Sequence, residues 1–258
     1  MKRIFPGLLI LSLLLIASQQ AQAQFEGTFS VDTYSYADNG RAIPQKTIHV
    51  TMTPERILIK GLQGTQMPSQ LGGIQSDAVL VRLDKKDFII FSDNNQALQI
   101  QKSEIENLVN MTNSLSGALS GSSSQTGQGS KPKTVITNQR KKIGDYTCQK
   151  IEVTETDKKG RHIRTDVWVT KEIPVNWGML AEPWNISDSE LSDLLSPGWL
   201  KNGTMPIRVD FYQDGTEKYS MKVAGLKKQH VPSSVTSIPP GYQLVSIRQL
   251  LMNKMFSN

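Results

Sequence analysis

The side chains best suited to chemistry in this chain are three histidines and a single cysteine. A metal centre built on His49, His162 or His230 would need a second ligand two or four residues away on the same strand or helix. None of the three has a second histidine or a cysteine at that spacing, and they lie far apart in the sequence, so a metal site would have to assemble in space. Cys148 has no second cysteine to pair with, and it reads as a small, buried, unpaired residue on a strand. There is no Gly-x-Ser-x-Gly elbow, no phosphate-binding glycine loop and no paired-carboxylate motif. Asn110, Asn185 and Asn202 each open an Asn-x-Ser/Thr sequon, which matters only in a host that glycosylates exported chains. The expectation is a protein that is not an enzyme and uses neither metal nor cofactor. What remains for binding is apolar: Phe29, Val31, Val50, Ile59, Val209 and Phe211 on strand faces, with Leu108 and Leu115 on a helix.

The N-terminus has the zones of a secretory signal peptide. Lys2 and Arg3 give the positive start, and an apolar run from Leu8 to Ala17 is broken only by Ser12. That run is shorter than the roughly 20 residues a membrane-spanning helix needs. Ala21-Gln22-Ala23 supplies the small residues of a cleavage site, so residues 1–23 are expected to be removed, with no lipid-modified cysteine at the cut. Residues 24–258 then read as one domain, soluble and periplasmic or extracellular, with no transmembrane segment. Losing Lys2 and Arg3 lowers the net charge from +6 to +4, a mild excess with no aromatic stacking platform, which argues against nucleic acid.

The elements that must position the apolar residues are mostly strands. Residues 25–36 alternate with period two, as do residues 46–53, where Ile48, Val50 and Met52 share a face. Ile57 and Ile59 pair by parity in residues 56–60. Residues 78–83 and 88–91 are nearly continuous apolar runs, which suggests a hairpin covered on both faces. Three strands are expected over residues 134–138, 146–154 and 162–170, with a bulge near Gln149-Lys150 to reconcile Tyr146 and Cys148 on one face with Ile151 and Val153 on the other. Asp214-Gly215 between residues 207–213 and 216–226 is the strongest hairpin signal.

Helices are fewer. Ser103 and Glu106 have capping-box spacing, and Ile105, Leu108, Val109, Thr112, Leu115 and Leu119 follow as a stripe. Residues 121–132 form a flexible Gly/Ser-rich loop. Short helices are expected at residues 187–195 and 246–256. The fold class is mainly β with small α: a curved antiparallel sheet of nine to eleven strands, an incomplete barrel closed or nearly closed, with covering helices.

Particular stretches carry a family resemblance. Phe25-Glu26-Gly27-Thr28-Phe29, Ile143-Gly144-Asp145-Tyr146-Thr147-Cys148, Val167-Trp168-Val169-Thr170 and the closing Ile238-Pro239-Pro240-Gly241-Tyr242 resemble, in order and spacing, a bacterial envelope family known as domain of unknown function 4412. The resemblance implies a fold like that of the lipoprotein carriers LolA and LolB, a half-barrel with helices over its open side. It implies no catalytic residues. On that basis the expected function is a non-catalytic carrier or binder of a lipid, acyl chain or other apolar ligand, with the helix from Ser103 as lid. The alternative is a side-chain-filled barrel acting as a structural module with an envelope protein partner.

N-terminal sequencing of the exported protein should begin at Gln24 or within a residue or two of it. A mature chain that still carries Leu8 to Ala17 would overturn the export reading.

Overall fold

The computed structural model describes residues 24–62, 76–92, 95–119, 132–157, 159–185, 200–249 and 252, with side chains in the one long helix up to Met111. The expected signal peptide, the helix over 187–195 and nearly all of the loop over 121–132 lie outside the described residues.

The chain forms two meanders. The first runs β1 (Gly27–Tyr36), β2 (Ala42–Met52), β3 (Arg56–Lys60), β4 (Ala78–Arg82), β5 (Asp87–Phe91) and β6 (Gln96–Gln101). Helix α1 (Lys102–Leu119) follows. The second runs β7 (Lys133–Ile143), β8 (Tyr146–Thr156), β9 (His162–Thr170), β10 (Met205–Gln213) and β11 (Thr216–Lys228), and β12 (Gln243–Ser246) then returns to the edge of the first beside β6. Antiparallel pairing of β1 with β11 fuses the meanders into one 12-stranded sheet, ordered β12-β6-β5-β4-β3-β2-β1-β11-β10-β9-β8-β7. Only β12 is parallel to its neighbour, β6. The sheet is open, not a closed barrel, because its end strands β12 and β7 do not pair. β12 is only 4 residues long. β7 carries Lys133, Arg140, Lys141 and Lys142, the kind of charge that blunts a sheet edge.

A flat sheet of this width is unstable to curling, and this one curls. β4 and β10 are separated by β3, β2, β1 and β11, about 24 Å in a flat sheet at 4.8 Å per strand. Yet Val81 of β4 and Ile207 of β10 line the same cavity. Register assigns the inner face: Phe29 sits opposite Val50, Val31 opposite both Ile48 and Val223, and Ile57 opposite both Met52 and Val81. These residues belong to the largest core cluster, with Phe25, Met179 and Met205.

The β4–β5 hairpin is covered on both faces, as its apolar runs require. Val79 and Ile90 turn inward, while Leu80, Ile89 and Phe91 turn outward beneath Ile238 and Tyr242. Phe91 meets Tyr242 edge to face at 5.2 Å. The hairpin between β10 and β11 turns on Asp214 and Gly215 with φ of 50° and 79°, the two positive angles of a type I′ turn.

Three expectations change in detail. The irregularity near Gln149 falls on the facing strand, between Ile136 and Arg140 of β7, while β8 pairs regularly with β9. Tyr146 and Cys148 pack in one cluster and Ile151 in another, so β8 is covered on both sides and needs no bulge of its own. Helix α1 begins at Lys102, and its capping carboxylate is Glu104, whose Oε2 accepts the Gln101 N–H at 2.8 Å. Glu106 instead takes the Lys102 ammonium at 3.1 Å and the Asn185 N–H at 2.9 Å.

The second meander places charge in a row. Ser220, Asp210, Asp166 and Glu152 stand opposite one another across β11, β10, β9 and β8. Asp210 and Asp166 are 3% and 5% exposed, which is tolerable only with cations alongside. Arg208 Nε donates to Asp210 at 2.6 Å, and Lys150 Nζ reaches Asp166 at 2.9 Å and Glu152 at 3.1 Å. Burial works against the Lys150 ammonium, but the Asp166 and Glu152 carboxylates outweigh it and raise its pKa above the ordinary 10.5. Lys150 therefore stabilises the fold fully below pH 10.5, and that contribution is lost as pH rises through its higher folded value. Lys150→Met should lower stability by about 3 kcal/mol near neutral pH, because it strands buried carboxylates. Denaturant melts across the alkaline range should show the native protein losing its advantage over the variant above about pH 10.5. Equal stability of the two at neutral pH would refute this role.

Candidate functional site

The inward face of β1–β4, β10 and β11 does not fill itself. Phe29 and Val31, Val50 and Met52, Ile57 and Ile59, and Val81 form one wall of a cavity of about 250 Å³. Residues 205–209 with Met221 and Val223 form the other, and Trp177 and Leu180 close the top. Its surface is almost entirely hydrocarbon. Arg208 borders it, but its guanidinium is held by Asp210 at 2.6 Å and Glu217 at 3.6 Å.

The top is set by residues 173–184, which cross the inner face without regular structure apart from a 3-10 turn at Gly178–Leu180. Ile173, Val175 and Met179 sink into the core. Asn176 Nδ2 donates to the Pro54 carbonyl at 2.8 Å, and Trp177 Nε1 donates to the Thr204 carbonyl at 2.9 Å. Gly178 is obligatory here: its φ is +46°, and a Cβ would lie 2.9 Å from that of Leu83.

Of the residues expected to bind, Phe29, Val31, Val50, Ile59 and Val209 come together on this cavity. Phe211 lies two residues beyond Val209, opposite Tyr219 and Thr165, and is not on the cavity wall. Leu108 packs with Ile105 on Ile90, Leu98 and Ile100, at the β5–β6 end of the inner face. The side chain of Leu115 lies outside the described residues. The described part of α1 therefore does not roof the cavity; Trp177 and Leu180 do. The helix is tied instead to residues 183–185, through Lys102 Nζ to the Pro183 carbonyl at 2.6 Å and Asn110 Nδ2 to the Asn185 carbonyl at 2.9 Å. Met52, Ile57, Val81 and Val223 were reachable from strand parity, but the two roof residues were not, since an irregular segment has no period to read.

Titratable groups give no sign of an activated nucleophile among the described residues. Cys148 is fully buried and free, and burial, then the nearby Glu172 carboxylate, push its thiol pKa up. Burial likewise raises the phenols of Tyr36 and Tyr212. His49, His162 and His230 are all exposed, and His230 Nδ1 stands 2.9 Å from Glu26. No group of His, Cys, Asp or Glu among the described residues is arranged to hold a metal ion. No helix of the described residues is long and apolar enough to cross a membrane.

Beside this cavity, towards the β7 edge, lies a second one of about 330 Å³ with mixed walls, formed by Ile136 and Arg140 of β7, residues 147–149 and Ile151 of β8, and Val169, Lys171, Glu172, Asn202 and Thr204.

Among solved structures, this chain is similar to PNGF-II in two crystal forms, at 12% and 13% identity and a TM-score of 0.42, over 90% of this chain. The chain spans about a third of the length of PNGF-II. It is also similar to a LolA superfamily protein from Nitrosomonas europaea, at 12% identity and a TM-score of 0.31, over 88% of this chain and 96% of that one. No curated protein matches. The family described as Domain of unknown function (DUF4412) matches residues 89–242, more than half of the chain, and the chain belongs to that family.

Proposed function

We propose that this is an exported, non-catalytic protein of the periplasm or extracellular space that binds or carries an apolar ligand, an acyl chain or similar hydrocarbon, in the cavity beneath Trp177 and Leu180. The observation that carries this reading is the unfilled 250 Å³ space with hydrocarbon walls at the centre of the curled sheet. Protein interiors are close-packed, whereas this cavity, partly open to solvent, leaves its hydrocarbon walls unfilled. Filling it with side chains would have been simple, because Val31, Val50, Val209 and Val223 on its walls are all small enough to be replaced by larger residues.

The size is consistent with a chain. At about 30 Å³ per water-sized group, 250 Å³ takes about eight methylenes. Each contributes about 0.8 kcal/mol on leaving water, so a filled cavity yields about 6 kcal/mol, and because ordering costs subtract from that, the dissociation constant is in the tens of micromolar at its tightest. Such binding suits pick-up and release better than permanent retention.

The test is to fill the cavity from its own walls. In the double variant Val31→Phe and Val223→Phe, affinity for the neutral dye N-phenyl-1-naphthylamine should fall about tenfold or more, with far-ultraviolet circular dichroism unchanged. Unchanged dye affinity in a folded double variant would mean that the cavity is not the binding site.

A further inference from the structure

The apolar cavity cannot by itself choose among ligands, because hydrophobic contact is non-directional. The second cavity offers what the first lacks. It carries the backbone and side-chain polar groups of Thr147, Gln149 and Asn202 beside two cations, Arg140 and Lys171. Both are exposed, unlike Arg82, Lys150, Arg208 and Lys102, which are more buried and are held by Asp87, Asp166, Asp210 and Glu106. Arg140 and Lys171 have no carboxylate partner among the described residues. The one anion on this wall, Glu172, is engaged through Oε1 with the Thr147 N–H at 2.9 Å. The cavity wall is therefore left with an excess of one positive charge.

The two cavities are neighbours with a common partition. Val209, on the apolar cavity, packs against the cluster of Ile151, Val167 and Val169, and of these Ile151 and Val169 face the polar cavity. Trp177, on the apolar cavity, bonds through Nε1 to the carbonyl of Thr204, which lines the polar one. Thr204 and Met205 are consecutive residues on opposite sides of the divide.

We propose that the two cavities join into one site, where the Trp177–Thr204 contact in the partition gives way, for a single-chain amphiphile with an anionic head: the hydrocarbon chain occupies the apolar cavity, and Arg140 and Lys171 receive a carboxylate or phosphate in the other. This rests on the apolar cavity being a ligand site and adds the charge of the ligand. A carboxylate and a phosphate share the chemistry these cations recognise, charge-assisted hydrogen bonding to anionic oxygens. A cationic head would be repelled, and a neutral one would gain nothing from either side chain.

The experiment compares four probes with the same chain, dodecanoate, dodecyl phosphate, 1-dodecanol and dodecyltrimethylammonium, each below its micelle concentration or, for dodecanol, its solubility limit, by displacement of N-phenyl-1-naphthylamine. The anionic probes should bind about tenfold more tightly than dodecanol, a difference worth about 1.4 kcal/mol. The ammonium probe should bind more weakly than dodecanol, and added salt should compress both differences. Comparing dodecanoate with dodecyl phosphate separates the two possible sources of the anion. Arg140 and Lys171 are exposed, so the pair Arg140→Gln and Lys171→Gln should fold normally, abolish the anionic preference and leave dodecanol affinity unchanged. Glu172→Gln keeps the acceptor for Thr147 and should strengthen anion binding several-fold without affecting dodecanol. Equal affinity for anionic and neutral heads, or an anionic preference that survives the double substitution, would overturn the head-group assignment while the apolar site stands. Failure of all four probes to displace the dye would overturn both.

Discussion

The pairing of β1 with β11 is the interaction on which the rest of the architecture depends. Each meander alone is a sheet of about half the width, with an apolar face and nothing to cover it. Joined along β1 and β11, they become one sheet wide enough to curl, and the inner faces of the two meanders then meet over a shared core. The joint is itself irregular, with register shifts between Thr28 and Ser30 against β11 and between Thr33 and Tyr34 against β2. Shifts of this kind increase local twist and bend. They fall at the middle of the strand order, where bending brings the two halves together. The cavity lies inside this bend, flanked by Phe29 and Val31 of β1 and by Met221 and Val223 of β11. Its existence follows from curvature: a bend encloses space on its inner side, and short side chains such as valine leave that space unfilled.

The outer face solves a different problem. At the first meander it is covered by the returning C-terminal segment, anchored by Arg56 Nη1 to the Thr236 carbonyl at 3.0 Å and by Tyr242 on Phe91. At the hairpin end, Asp87 is fully buried yet accepts from Arg82 Nε at 2.7 Å and Gln99 Nε2 at 2.6 Å. The second meander uses the row of Asp210, Asp166 and Glu152 with its interleaved cations. Aromatic rings extend the network, with Arg164 over Tyr212 at 4.1 Å and Lys141 over Trp168 at 3.7 Å. Burial, then the nearby Arg208, lower the pKa of Lys141 against the opposing pull of Asp210 and Asp166. Paired charge of this sort contributes little net stability but resists register slips, since a one-residue shift would bury the wrong sign or an apolar side chain.

The parts of this structure that were legible in the sequence are those with local physical signals. Alternation marked β1, the second half of β2, and β10, and two positive-φ residues marked the hairpin at Asp214-Gly215. The stripe from Ile105 marked the helix. β6 was missed because Gln96, Gln99 and Gln101 interrupt Ala97, Leu98 and Ile100 in a pattern that is neither period two nor a continuous run. β12 was missed because its four residues gain their strand identity only from parallel pairing with β6, more than a hundred residues away. The site followed the same rule. Phe29, Val31, Val50, Ile59 and Val209 line one cavity because parity assigns a strand residue to a face. Parity cannot say how far along the face a cavity extends, so Phe211 was named along with Val209. Nor could it place Trp177 and Leu180, whose position depends on where an irregular segment lands after crossing the sheet.

The position of that segment changes how the fold can control access. A helix lid would be held by its own hydrogen bonds and could move as a unit. Residues 173–184 have almost no internal ladder, so their order derives from what they touch: Pro54 and Thr204 through side-chain hydrogen bonds, and the core through Ile173, Val175 and Met179. The buried Met179 and the glycine-dependent turn at Gly178 anchor the segment on the Leu83 side. Trp177 is less buried and reaches towards β10, where the apolar cavity meets the polar one. Trp177 is held there by its indole hydrogen bond to Thr204 and by packing against the core. The net worth of such a bond is about 1 kcal/mol, less than that of two buried methylenes. That hydrogen bond is thus only part of what holds Trp177, which also packs on the core, and the anchors at Met179 and Gly178 keep the rest of the segment in place.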